Sequence, residues 1–159
     1  MAQSLEQRID ALESYNEITE LRSKYCWHAA RGDVPPIVEL FTEDLEFVSP
    51  PDAQGRRTTV RGRKELLPYF QAGIGKPGLV APLITNHVIR VNGDEAHGTC
   101  AMDSLVTPLP GGDVGGPPSV FYYYDRFKRL GGRWYFSYRK LSLYRPVLQL
   151  DDARGVEGA

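Results

Sequence analysis

The stretch from Leu83 to Val106, LITNHVIRVNGDEAHGTCAMDSLV, constrains the fold more than any other, because Asn92-Gly93 at its middle is a hairpin-turn signal. Both residues tolerate the positive φ that a tight type I′ turn demands, and strand-like alternation flanks them. Before the turn, Leu83, Thr85, His87, Ile89 and Val91 share one face of a strand, while Ile84, Asn86, Val88 and Arg90 share the other. The first face is the more apolar, so His87 is expected to point inward. A two-residue turn at Asn92-Gly93 pairs His87 with Gly98 and sets Cys100, Met102 and Ser104 on the histidine's face, with Asp103 looking away. A β-bulge would reverse that assignment, because a slip of one residue exchanges the two faces.

The rest of the chain supplies helices first and strands last. Ser4 to Arg31 carries two apolar stripes, Leu5-Ile9-Leu12 and Ile18-Leu21-Tyr25-Ala29, and capping-box spellings at Ser4/Gln7 and Ser14/Glu17 predict a short helix and then a longer one. Gly32 stops the second, and Asp33-Pro35 restarts a short helix through Phe41. Leu45 to Ser49 reads as a strand, Thr58 to Arg61 as a second short one, and Gly62 to Gln71 as a helix that Gly73 to Gly78 breaks. The glycine- and proline-rich run from Pro108 to Pro118 is a loop. Ser119 to Leu130 and Arg133 to Tyr144 are long strands joined at Gly131-Gly132, with large side chains on both faces. That order predicts an α+β domain and not an alternating βαβ one.

At 159 residues and 42% hydrophobic content, the expectation is a single domain over residues 1–146 and a flexible tail over 147–159. A net charge of −1 with interspersed signs lacks the basic face that nucleic-acid binding needs. No apolar run is long enough to span a bilayer. Cys26 and Cys100 are far apart, outside any CxxC pattern, and read as reduced residues of a cytoplasmic protein. The three histidines fall in no closely spaced ligand motif, so no metal is expected.

The segments KYCWHAARGD, ELFTEDLEF, GRKELLPYF, TNHVIRVNGDEAHG and YYDRFKRLGGRWYF, taken in that order, resemble a SnoaL-like domain of the nuclear transport factor 2-like superfamily. The resemblance runs from about Ser4 to Tyr144. It implies a cone-shaped curved antiparallel sheet packed against three or four helices from the N-terminal and central parts of the chain, enclosing an apolar pocket. It also implies no cofactor, and a homodimer or homotrimer through the sheet's outer face. Among the superfamily's dehydratases, scytalone dehydratase and bile acid dehydratase are the nearest by motif. They keep a tyrosine near the end of the first long helix, an aspartate five residues later and a histidine on the strand that here reads TNHVI. Tyr25 and His87 match the first and last, while the aspartate position falls on Ala30 and a second acidic position falls on Ser104.

His87 and Tyr25 are therefore the candidate catalytic pair. His87 is either a general acid/base or a buried histidine satisfied by its neighbours. Tyr25 is either a hydrogen-bond donor to substrate or an ordinary aromatic at the pocket's edge. His28, Phe47, Cys100, Met102, Ser104 and Tyr123 are the candidate substrate-binding residues, with His28 also a substitute partner for His87. His97 reads as structural. Cys100 is a nucleophile only if a neighbouring base or positive charge lowers its pKa; otherwise it is a small apolar wall. Arg126 and Arg139 are assigned to the outer face or an interface, and an inward arginine would favour an anionic substrate instead.

The function expected is a cofactor-independent lyase or isomerase that uses histidine acid/base catalysis on a hydrophobic, aromatic or polycyclic small molecule, eliminating water or another small molecule. The alternatives are a noncatalytic small-molecule binder and the accessory subunit of a ring-hydroxylating dioxygenase.

Overall fold

A computed structural model of the chain describes residues 4–52, 54–74, 81–105 and 119–143. The expected loop at Pro108–Pro118, the strand end at Tyr144 and the C-terminal tail lie outside them.

Helix α1 runs unbroken from Leu5 to Arg31 over 27 residues. The Ser4/Gln7 capping box forms at its start, with the Ser4 hydroxyl accepting from the Gln7 N–H and the Gln7 side chain accepting from the Ser4 N–H. At the other end Gly32 takes φ +70° and donates to the Ala29 carbonyl. The two helices expected on either side of Ser14-Tyr15-Asn16 are one. Ser14, Tyr15 and Asn16 are middling helix formers that do not break a helix, and Arg129 braces the segment by donating to Asp10 at 2.6 Å and Ser14 at 3.5 Å. The change of stripe marks a change of surroundings instead. Ile18, Leu21, Tyr25 and Ala29 are buried, while Leu5 and Leu12 stay in solvent.

Helix α2 (Val34–Val38) is shorter than expected, because the Phe136 N–H bonds the Leu40 carbonyl and draws Phe41 into strand β1 (Phe41–Val48). Strand β2 (Thr59–Arg61) and helix α3 (Gly62–Ile74) follow, then β3 (Ala81–Asn92), β4 (Glu95–Leu105), β5 (Ser119–Leu130) and β6 (Arg133–Leu143). They form one six-stranded sheet in the order β2-β1-β6-β5-β4-β3. The β1–β6 pair is parallel and every other pair antiparallel, so the sheet is mixed and not wholly antiparallel. Helix α1 lies against β3 and β6, and α3 against β1 and β2. The core between them includes Ile18, Tyr25, Phe41, Phe47, Leu66, Phe70, Tyr123, Phe127 and Phe136.

The β3–β4 hairpin forms with two differences from expectation. Asn92 pairs with Glu95, so the turn sits at Gly93-Asp94, where Gly93 supplies φ +60°. The register then breaks between Thr85 and Val88: Asn86 and His87 of β3 together oppose Cys100 of β4. This is a β-bulge, and Asn86 takes φ +55° within it. The extra residue exchanges the faces. On the turn side His87, Ile89 and Val91 face the core, as expected; beyond the bulge Ile84 takes that face and Leu83 is exposed. Gly98 pairs with Ile89 and not with His87.

A second bulge interrupts β6. Arg126 pairs with Tyr138 and Phe127 with Phe136, leaving Ser137 without an opposite residue. The inward residues of β6 are consequently Trp134 and Phe136 on one side of it and Arg139 and Leu141 on the other. The outer-face assignment of Arg139 is thus overturned, whereas Arg126 is exposed.

The left-handed conformation at Asn86 is tolerated by asparagine and by glycine, and is costly for a β-branched residue. Asn86→Gly should leave stability within about 0.5 kcal/mol, and Asn86→Val should cost roughly 1–2 kcal/mol in urea unfolding. Equal midpoints for the two variants would contradict the bulge.

Candidate functional site

At the centre of the molecule three charged side chains are buried together: Arg22 from α1, Asp125 from β5 and Arg139 from β6. Arg139 donates to Asp125 through both Nε (2.8 Å to Oδ1) and Nη2 (3.0 Å to Oδ2), a bidentate pair. Arg22 adds a third bond from Nε to Asp125 Oδ2 at 3.1 Å. The Arg139 guanidinium also lies among three rings, 4.3 Å from the centroid of Tyr25 and 4.1 Å from those of Tyr123 and Phe136. Arg22 lies 5.3 Å from the Phe127 centroid. Such cation–π contacts offset part of the cost of burying cations. Burial is the largest influence on Arg139 and disfavours its charged form, but the charge and hydrogen bonds of Asp125, with Tyr25 and Tyr123 beside it, together outweigh burial and raise its pKa.

His87 joins this group through Arg22. Its Nδ1 is 3.2 Å from Arg22 Nη1, which also donates to the Thr99 carbonyl at 3.3 Å. A guanidinium has only donors, so Nδ1 must accept, and the neutral ring carries its proton on Nε2. Burial, and then the positive charge of Arg22, push the His87 pKa below its usual value; Asp125 opposes them. His87 is half-buried, unlike the three charges behind it. Gly98 makes the approach possible. A Cβ there would lie 2.2 Å from the Val88 carbonyl oxygen and 3.2 Å from Arg22 Nη2.

Tyr25 belongs to the other end of the same chain of contacts. It stacks edge-on with Tyr123 at 6.1 Å and lies within electrostatic reach of Arg139. Burial raises the pKa of Tyr25, and raises that of Tyr123 well above the usual value, so both are neutral phenols. Ala30 holds the position where the resemblance has an aspartate, and the hydrogen-bonded path from Asp125 to His87 runs through Arg22.

The remaining candidates separate. Cys100, opposite the bulge, and Met102 are buried on the inward face, and Asp103 is exposed, as the pattern predicted. Burial pushes the thiol of Cys100 up to about 12 and that of Cys26 likewise, which removes the nucleophile reading for Cys100. Phe47 is buried against Tyr69 and Phe70 at 5.5 and 5.1 Å. The Ser104 backbone pairs with Pro82 and Ser119, and its side chain lies outside the described set. His28 sits at the C-terminal end of α1 with Nδ1 3.8 Å from an Asp33 oxygen, beyond hydrogen-bond distance, and the side-chain partner of His87 is Arg22 instead. His97 pairs with Arg90 and Arg126 along the strands.

Arg22, Asp125 and an inward Arg139 were not found by sequence reasoning. Two had a signal. Arg22 falls on the stripe Ile18-Leu21-Tyr25, four residues after Ile18 and three before Tyr25, and Asp125 alternates with Tyr123 and Phe127. A charge at a position whose periodicity says core is a candidate buried pair. Arg139 had none, because only the bulge at Ser137 turns it inward.

The model of the SnoaL-like domain family matches residues 10–140. Among proteins of curated function none matches. Solved structures do. A Mycobacterium tuberculosis protein of unknown function is 25% identical with a TM-score of 0.70, over 89% of this chain and 80% of that one. A candidate scytalone dehydratase from Novosphingobium aromaticivorans is 21% identical with a TM-score of 0.67, over 84% and 86%. A candidate dehydratase of the nuclear transport factor 2-like family from Streptomyces avermitilis is 17% identical with a TM-score of 0.69, over 81% and 95%. At such identities the likeness is one of fold.

Two outcomes test the buried cluster. Asp125→Asn leaves two buried cations facing each other and should cost about 3–5 kcal/mol, whereas replacing Arg22, Asp125 and Arg139 together by Met, Leu and Met should recover most of it. Denaturant titration of both variants decides; equal losses would show that packing, and not charge, is at stake. In the folded protein neither thiol should react with Ellman's reagent at pH 8, and both should react after unfolding.

Proposed function

Because this chain belongs to the SnoaL-like domain family, whose fold is shared with proteins assigned as dehydratases, we propose that it is a cofactor-independent lyase or isomerase of a hydrophobic small molecule, with His87 as its proton-transfer group. The observation that carries this reading is the contact between Arg22 Nη1 and His87 Nδ1. It fixes the tautomer and leaves Nε2 as the atom that exchanges a proton with substrate.

In an elimination, the acidic C–H bond breaks and its electron pair becomes the new double bond as the C–O bond breaks with its pair on oxygen. In the same step Nε2–H passes to that oxygen, forming water, and the C–H proton replaces it on Nε2, so the ring stays neutral. In an isomerisation Nε2–H goes to one carbon as a C–H proton from another replaces it on Nε2 and the double bond moves between them. A neutral imidazole beside a cation is suited to this role, since the imidazolium form has no lone pair to offer Arg22. Asp125 is a poor base, because its oxygens already accept three guanidinium bonds.

A second reading, a noncatalytic binder, is favoured by one observation: among the described residues the side-chain partner of His87 is Arg22 and not a carboxylate. The two separate on turnover. With 4-hydroxy-4-phenylbutan-2-one and related hydrophobic β-hydroxy ketones as probes, followed by absorbance of the enone, His87→Ala and His87→Gln should lower kcat by about 100-fold or more. Turnover at the wild-type rate in His87→Ala would remove the catalytic assignment.

The pH dependence has a defined sign. The folded pKa of His87 lies below the usual 6.5, and the neutral ring is the working form. Activity should be full at neutral pH and fall only below pH 6.5. The unfolded chain binds the proton more readily, so the stability contribution is also full above 6.5 and is lost as pH falls toward the lowered folded value. The His87→Gln variant should lose that slope, read by unfolding across pH 5–7.

A further inference from the structure

We infer that the buried guanidinium pair is the receptor for one carboxylate group of a hydrophobic ligand, with Arg22 Nη2 and Arg139 Nη1 as the donors. This deepens the reading above by naming the substrate's chemical class, and it rests on the interior around His87 being the ligand site.

The first support is charge. Arg22 and Arg139 are two cations at 0% exposure against the single anion Asp125, with His87 neutral, so the cluster holds one positive charge in excess. Buried charges are ordinarily matched. The aromatic rings whose faces lie under the two guanidinium carbons soften the excess without cancelling it.

The second support is hydrogen bonding. Arg22 Nη2 and Arg139 Nη1 are buried and have no hydrogen-bond partner among the described residues. Leaving a charged donor buried and unpaired costs more than leaving a neutral one. Local acceptors are few: Asp125 takes three guanidinium bonds, His87 Nδ1 and the Thr99 carbonyl share Arg22 Nη1, and the Tyr25 hydroxyl, itself in contact with Tyr123, is the remaining neutral partner near Arg139. The excess of one charge selects a monoanion over a dianion, and planar carboxylate oxygens suit guanidinium donors. Tyr25, Tyr123, Phe127 and Phe136 border the charges, so the body carrying the carboxylate is apolar. His87, the half-buried end of the network, is the side on which solvent reaches it.

The test uses the intact protein with benzoate, its neutral isostere benzamide, and sodium chloride or acetate at matched ionic strength. Saturating benzoate should raise the melting temperature by roughly 2–4 °C, and benzamide, chloride and acetate should leave it nearly unchanged. Arg22→Gln and Arg139→Gln should each weaken benzoate binding about tenfold or more in calorimetry. Should either variant fail to fold, the anomalous signal of 4-bromobenzoate in wild-type crystals locates the ligand independently. It should place the carboxylate within hydrogen-bond reach of Arg22 Nη2 or Arg139 Nη1. Equal effects of benzoate and benzamide, equal stabilisation by chloride, or bromine sited away from both arginines would each overturn the proposal. The result is separable from that for catalysis: benzoate bound at the arginines while His87→Ala retains full turnover sinks the mechanism alone, and loss of turnover without benzoate binding sinks the receptor alone.

Discussion

The carboxylate of Asp125 between two guanidiniums is the interaction on which the interior depends. It joins α1 to β5 and β6, and through Arg22 it extends to the β4 backbone at Thr99 and to His87 on β3. Buried ion pairs of this kind are seldom a net source of stability, because desolvating each charge costs several kcal/mol and an apolar replacement of equal volume serves as well or better. Their effect here is positional. A single anion sets where two cations sit, and one of those cations fixes the tautomer of the half-buried His87 and adds to the lowering of its pKa by burial.

The two β-bulges are what bring these groups together. Without the extra residue at Asn86-His87, the face that carries His87, Ile89 and Val91 would continue through Thr85 and Leu83 and not through Ile84. Without the one at Ser137, Arg139 would share the outer face with Tyr135 in an unbroken alternation. Gly98 completes the arrangement, because the bulged strand and the Arg22 side chain approach its backbone too closely for any Cβ. The hydrogen-bonded path from Asp125 to His87 runs through Arg22, while the charge of Asp125 also acts on the imidazole directly, against that of Arg22.

Much of this fold was legible in the sequence, for reasons that are local. The Ser4/Gln7 cap, Gly32, the Gly131-Gly132 turn and the inward positions of Cys100, Met102 and Tyr123 follow from caps, positive-φ glycines and unbroken alternation. What was not legible depends on events between strands. The inward Arg139 is invisible to alternation because a bulge changes the phase, and the contact of Arg129 of β5 with Asp10 of α1 joins residues 119 positions apart. Arg22 and Asp125 were readable as charges at core-phased positions, but a charge in such a place is usually discounted when its partner lies 103 residues away.

The central claim is that Arg22 holds His87 neutral with its proton on Nε2. Two-dimensional ¹H–¹⁵N NMR of the imidazole nitrogens, followed across pH 5–8, tests it most directly. The account predicts an Nε2–H tautomer for His87, with Nδ1 shifted as a hydrogen-bonded acceptor, and a titration midpoint below 6.5 that moves upward in Arg22→Gln. A proton on Nδ1, or a midpoint at or above 6.5 that ignores the loss of Arg22, would contradict it.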